Sequence, residues 1–264
     1  MSELATLVVE GEALTIEYRF TAGSRAGPFS RPLVIFLHEG LGSVAMWKDF
    51  PERFCTEHGL RGLVFSRYGY GQSTPKPADE RWTPAFMHAQ AHEVLPRLFD
   101  ALQIERPWLF GHSDGGSIAL LHAAKFKVAG IVVVAPHILV EDVSLASIRQ
   151  AREAYDTTDL RARLARYHAD PDSAFRGWND IWLEPAFRAW NIEAELDDIT
   201  CPVLAVQGAD DEYGTLAQIG GIHARLPETR LLVMPKCGHS PHRDQPALLS
   251  AAAGRFILEH PTPS

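Results

Sequence analysis

Two runs near the start, LATLVVEG (residues 4–11) and LTIEYRF (14–20), trade apolar for polar side chains with a period close to two, the signature of half-buried strands. Gly11 falls between them, at the turn of an antiparallel hairpin. From residue 31 the rhythm changes. RPLVIFLHEG (31–40) is short and continuously apolar, SVAMWKDFPERFCTEHG (43–59) has helical spacing, and RGLVFSRYGYGQS (61–73) is apolar again before its glycines. The pattern repeats with a helix over 83–103, a strand in RPWLFGHS (106–113), a helix from Ser113 to about Lys125 and a strand in AGIVVVAPHI (129–138). Strands that are apolar throughout have both faces covered, as crossover helices cover a parallel sheet.

From about Leu139 to Ile199 no strand-like run occurs. Apolar positions there recur at helical intervals: Leu145, Ile148 and Tyr155, then Leu160, Leu164 and Tyr167, then Phe175, Trp178 and Trp182. Strand and helix resume with CPVLAVQGADD (201–211), GTLAQIGGIHARLP (214–227), TRLLVMPKCGHS (229–240) and a last helix in DQPALLSAAAGRFILEH (244–260), before a PTPS tail. The expected organisation is one α/β core domain, residues 1–138 and 200–264, interrupted by a helical insertion at 139–199. Repeats and low-complexity segments are absent from the pattern.

Composition narrows the function classes. The 264 residues are 46% hydrophobic, enough for a large core. A formal net charge of −8 offers no basic field for a phosphate backbone, so nucleic acid is not an expected partner. No apolar run approaches the ~20 residues of a membrane span, and the first residues lack the pattern of a secretion signal. A cytoplasmic setting is expected, and a homodimer stays open. Cys55, Cys201 and Cys237 lack metal or redox spacing and read as buried small hydrophobes. No metal is expected at the twelve histidines.

Chemistry concentrates where strands end, because in a parallel sheet the loops at the carboxyl ends face one crevice. Ser113 lies in Gly111-His112-Ser113-Asp114-Gly115, between an apolar strand and a helix. A Gly-x-Ser-x-Gly corner is tight, and it lifts the serine clear of the sheet beside the amides that open the helix. A serine that only caps the helix is the competing reading. A nucleophile needs a base and a group to orient it. His239 follows the last strand and Asp211 the one before it, in the chain order serine, acid, histidine of nucleophile-elbow hydrolases. Asp210 and His242 are the neighbouring rivals. LHEGLGS (37–43) follows the first parallel strand, and its glycines let an amide, Gly40 or else Leu41, join that of Asp114 as an oxyanion donor.

With GHSDGG, HEGLG, GADD and the late GH placed on their strands, the chain resembles the α/β-hydrolase-fold enzymes from about residue 8 to 260. The resemblance implies a mostly parallel eight-stranded sheet flanked by helices, with a helical cap inserted after the sixth strand. It implies Ser113 as nucleophile, Asp211 as orienting acid and His239 as base, with no cofactor. Two departures stand out. The usual His-Gly after the first parallel strand is His38-Glu39 here, and the frequent aspartate that leads the SRYGYGQS turn is Ser66. Relatives that open epoxides or remove halide carry aspartate at the elbow, so acyl chemistry is expected instead.

Phe175, Trp178, Trp182, Phe187 and Trp190 make the insertion aromatic, which fits a hydrophobic or aromatic substrate of modest size. Leu41, His38, His137, Trp178 and Trp182 are the expected pocket residues. Arg176 and Arg188 either meet a substrate carboxylate or face solvent. Hydrolysis of a small-molecule carboxylic ester leads, ahead of C–C bond hydrolysis of dienone acids and of a ligand receptor on the same fold.

Overall fold

The computed structural model describes residues 2–24 and 31–261; residue 1 and the last three residues of the PTPS tail lie outside them. β1 (Glu3–Val9) and β2 (Glu12–Phe20) form the expected hairpin, paired from Glu3 with Tyr18 to Val9 with Glu12. Glu10 and Gly11 at its tip have φ of 50° and 87°, the left-handed pair that a two-residue turn matched to strand twist requires.

The parallel strands are β3 (Leu33–Leu37), β4 (Arg61–Phe65), β5 (Trp108–His112), β6 (Gly130–Val134), β7 (Val203–Gly208) and β8 (Arg230–Met234). The eight strands run in the order β1-β2-β4-β3-β5-β6-β7-β8, antiparallel only where β2 joins β1 and β4. Every residue of β5, β6 and β7 is buried, as continuous apolar runs demand. β8 differs. Leu231 and Val233 are 39% and 44% exposed, because an edge strand is not fully covered although its apolar run reads like the others.

Helices flank the sheet: α1 (Phe50–His58), a continuous helix α2 over 86–101 with a π-helical turn at Gln90–Val94, and α3 (Asp114–Lys125). Residues 44–49, expected within the first helix, form turns instead, and Pro51 sits in the opening turn of α1, where a missing N–H costs nothing. The insertion carries α4 (Asp142–Thr157), α5 (Leu160–Leu164) and α6 (Pro171–Leu183). Its two ends are pinned together by a bridge between Leu139 and Asn191 and by the Ile192 amide donating to the Ile138 carbonyl at 2.8 Å. Asp170 caps α6 by accepting from the amides of Asp172 and Ser173, a contact whose loss costs about 1 kcal/mol. After the insertion come α7 (Ala217–Arg225), the short α8 (Pro241–Asp244) and α9 (Pro246–Glu259).

The Ser66 departure has a physical answer. Glu17, on β2 and 4% exposed, accepts a 2.7 Å hydrogen bond from Ser66 Oγ and another from the Gln72 amide, and Ser66 Oγ accepts from the Val44 amide. A carboxylate reaching across from the neighbouring strand thus organises the turn.

Candidate active site

Ser113 stands directly after β5, at the N-cap of α3, with φ 53° and ψ −122°. A non-glycine residue in that region is strained, and the tight geometry shows next door. A Cβ on Gly115 would overlap the Leu37 carbonyl oxygen. The side chain makes no capping bond. Ser113 Oγ instead lies 2.9 Å from His239 Nε2, and His239 Nδ1 lies 2.8 Å from Asp211 Oδ1. Three residues at three strand ends, up to 126 positions apart, thus form one relay. The serine and histidine are nearly covered, with Ser113 6% and the His239 side chain 11% exposed.

Asp211 is fixed from several sides. The amides of Tyr213 and Gly214 donate to Oδ1, and Gln207 Nε2 donates to Oδ2 at 2.6 Å. Burial works against its charge, but the hydrogen bond and positive charge of His239 and the Tyr213 amide outweigh it and hold the carboxyl below its ordinary pKa. It is therefore an anion able to hold an imidazolium. The rivals lie elsewhere. Asp210 is exposed, and the His242 ring packs between Trp47, Phe50 and His112 at centroid distances of 5.0, 5.9 and 4.8 Å.

Three amides near Ser113, those of Gly40, Leu41 and Asp114, have no acceptor among the described residues. The Glu39–Gly40 peptide is anchored by its carbonyl, which accepts from His38 Nδ1 at 2.6 Å, Arg67 Nη2 at 2.9 Å and the Gly42 amide at 3.1 Å. A trans peptide points N–H opposite to C=O. With the carbonyl held by three donors, the Gly40 amide faces the other way. His38, expected in the pocket, is a support for this peptide instead. It is fully buried, and its second nitrogen, Nε2, accepts from the Arg67 amide at 2.9 Å. Burial, then Arg67, depresses its pKa well below 6.5 and keeps the ring neutral, as an accepting Nε2 requires.

Arg67 itself was not legible as a site residue. Its guanidinium is 1% exposed and lies 3.8 Å from the equally buried Asp114 carboxylate. Trp182 Nε1 donates to the other oxygen of Asp114. Burial pushes the Asp114 carboxyl above its ordinary pKa, while Arg67 and then Trp182 oppose the shift. No motif separates a buried arginine from a solvated one, so only packing reveals the pair.

Of the other expected pocket residues, His137 stands beside His239 and Trp182 beside Asp114. The Trp178 indole covers Gly40 so closely that a Cβ there would overlap it. The His137 ring stands 4.8 Å from Trp182 and 5.9 Å from His239; Leu41 is half-buried, its carbonyl 3.1 Å from His168 Nε2. Burial, then His239, pushes the His137 imidazole down to about 3. Tyr213 was missed; its ring lies 4.7 Å from that of His239. Arg176 and Arg188 pair outside with Asp156 and Asp142, each at 2.7 Å. Among the described residues no cluster of three or more His, Cys, Asp or Glu side chains could hold a metal ion, and no helix is long and apolar enough to cross a membrane.

Comparison with known proteins agrees with this architecture. A family model described as the alpha/beta hydrolase family matches residues 34–252. A protein of Caulobacter sp. (strain K31) named "Putative carbamate hydrolase RutD" is 28% identical over 255 residues, covering 88% of this chain and 92% of its own. The 2-hydroxy-6-oxo-6-phenylhexa-2,4-dienoate hydrolase of Burkholderia cepacia is 24% identical over 237 residues, covering 78% and 80%. Among solved structures, a thermophilic esterase from Thermogutta terrifontis superposes with a TM-score of 0.75 at 18% identity, over 99% of this chain and 100% of the other, a likeness of fold.

Proposed function

The chain belongs to the α/β hydrolase family, and on that premise we propose that it is a serine hydrolase of small carboxylic esters with a hydrophobic or aromatic part. The observation that carries this reading is the continuous relay from Ser113 Oγ through His239 to Asp211, at 2.9 and 2.8 Å, on a strained elbow. Ser113 Oγ attacks the ester carbonyl as its proton passes to His239 Nε2, while Asp211 holds the imidazolium through Nδ1. The amides of Gly40 and Asp114 take the developing oxyanion. The alcohol leaves with the proton from His239. Water then gives a proton to His239 and its oxygen to the acyl carbon, freeing the acid and Ser113.

The helical insertion acts as a cap in this reading. Trp182 is fastened to Asp114 beside the elbow and Trp178 lies over Gly40, so an outward shift of α6 would widen the way for a substrate carbonyl to Ser113. Their indoles, with Tyr213 and His137, form an aromatic wall suited to a planar or apolar acyl group. The three unpaired cysteines support a reducing, cytoplasmic setting.

C–C bond hydrolysis of dienone acids is the second reading. It is favoured by the buried Arg67 guanidinium, whose Nε and Nη1 have no hydrogen-bond partner and could seat a substrate carboxylate. The Asp114 carboxylate 3.8 Å away opposes a second anion there, so ester hydrolysis leads. A panel of aryl esters and dienone acids, assayed on the wild type and Ser113→Ala, decides. Ester turnover that vanishes with Ser113 upholds the proposal, and cleavage of dienone acids without esterase activity replaces it with the second reading.

A further inference from the structure

A cavity of about 900 Å³ opens at the seam between α1, α5 and the segment 242–250. That volume is in the range of small-molecule sites, and none of Ser113, Asp211 and His239 lines it. Its walls carry five cations, Lys48, Arg53, Arg163, Arg166 and Arg243, against two acids, Asp49 and Glu57. On a chain of net charge −8, such a concentration marks a place where negative charge is wanted. The floor is apolar, with Met46, Phe50, Phe54 and Leu164.

The cations are only partly neutralised by the protein. Arg53 meets Asp49 at 3.7 Å, Arg163 meets Asp159 at 3.2 Å and Arg243 meets Glu39 at 3.2 Å. Arg166 has no carboxylate partner among the described residues. Lys48 has none either. It donates to the Tyr167 hydroxyl at 2.7 Å, from a left-handed backbone with φ 55°. Tyr167 reports the local field. Lys48 first, with Arg166 and Arg243 adding, draws its phenol below the ordinary pKa.

We propose that this cleft binds a small organic anion, its carboxylate or phosphate held by Arg53, Arg166 and Lys48 and its apolar part laid on Phe50, Phe54 and Leu164. The cleft adjoins the relay without belonging to it. Its inner wall is His242, whose ring touches His112, which in turn faces His239 at 5.1 Å.

The test is calorimetric titration of the full chain with octanoate, phenyl phosphate, inorganic phosphate and neutral benzyl alcohol. Wild type, Ser113→Ala and the double variant Arg53→Gln/Arg166→Gln are compared, and Trp47 at the cleft wall gives a fluorescence reading in parallel. Saturable binding of octanoate or phenyl phosphate is expected in the wild type and in Ser113→Ala. In the double variant it weakens at least about tenfold, since hydrogen bonds to charged groups are the strong ones. Which organic anion binds more tightly identifies the head group. The far-ultraviolet circular dichroism and melting temperature of the double variant stay at the wild-type level, which shows that it folds. Absence of binding in the wild type overturns the proposal. So does equal binding by the double variant, binding of benzyl alcohol as tight as that of the anions, or inorganic phosphate matching phenyl phosphate. Binding is read without turnover, so its failure is distinct from failure of the esterase reading.

Discussion

Trp182 Nε1, on the sixth helix, donates to Asp114 Oδ1 at 3.2 Å, so the inserted helices are fastened to the residue directly after the nucleophile. Both partners are buried, at 1% exposure each. Trp182→Phe keeps most of the ring but strips that carboxylate oxygen of its donor. A buried acceptor left unpaired costs about 1–3 kcal/mol, so the melting temperature is expected to fall by several degrees. In a double-mutant cycle with Asp114→Asn, contacting residues should couple by roughly 0.5–3 kcal/mol. Coupling near zero would remove this fastening from the account.

Ser113→Ala is expected to lower ester turnover by about 10⁴ to 10⁶ with little change in stability, because Ser113 Oγ makes no cap bond. Asp211→Asn is expected to cost about 10⁴: its amide cannot hold the imidazolium that the carboxylate holds at 2.8 Å. Steady-state kinetics beside circular dichroism checks both, and full activity in either variant contradicts the relay.

Gly40→Ala places a methyl group where the Trp178 indole lies. The peptide that aims the Gly40 amide must shift, and loss of one oxyanion donor is expected to cost about 10² to 10³ in kcat with a smaller change in KM. Replacing Trp178 with alanine in the same chain removes the clash and should recover part of kcat. An unaltered kcat in Gly40→Ala would assign the oxyanion amide to Leu41.

Acid should destabilise the fold through its buried histidines. Burial pushes His122, which donates Nδ1–H to the Ala91 carbonyl, down to about 4. Unfolded, it titrates near 6.5. Between those values the unfolded chain binds the extra proton, so stability falls as pH drops through that window and is unaffected above it. His137, pushed down to about 3, extends the same loss to lower pH. His122→Asn keeps a donor toward Ala91, and its stability curve between pH 6.5 and 4 should be flatter than wild type by up to about 1.4 kcal/mol per unit. Parallel curves would acquit this histidine.

Strand and helix order, the hairpin turn at Gly11, the helical insertion and the glycine-flanked serine were all legible in the amino-acid string, because each is encoded within a few neighbouring residues by periodicity or by a steric demand. Even the meeting of Ser113, Asp211 and His239 could be anticipated, since parallel strands bring their ends to one rim. What only the tertiary structure decided depends on which distant side chains meet. Glu17 completes the Ser66 turn from 49 positions away, His38 and one nitrogen of Arg67 meet at the Glu39 carbonyl, and five cations from separate helices and turns share one cleft. No local pattern encodes such meetings, because burial and pairing of a polar group are set by the packing of the whole chain.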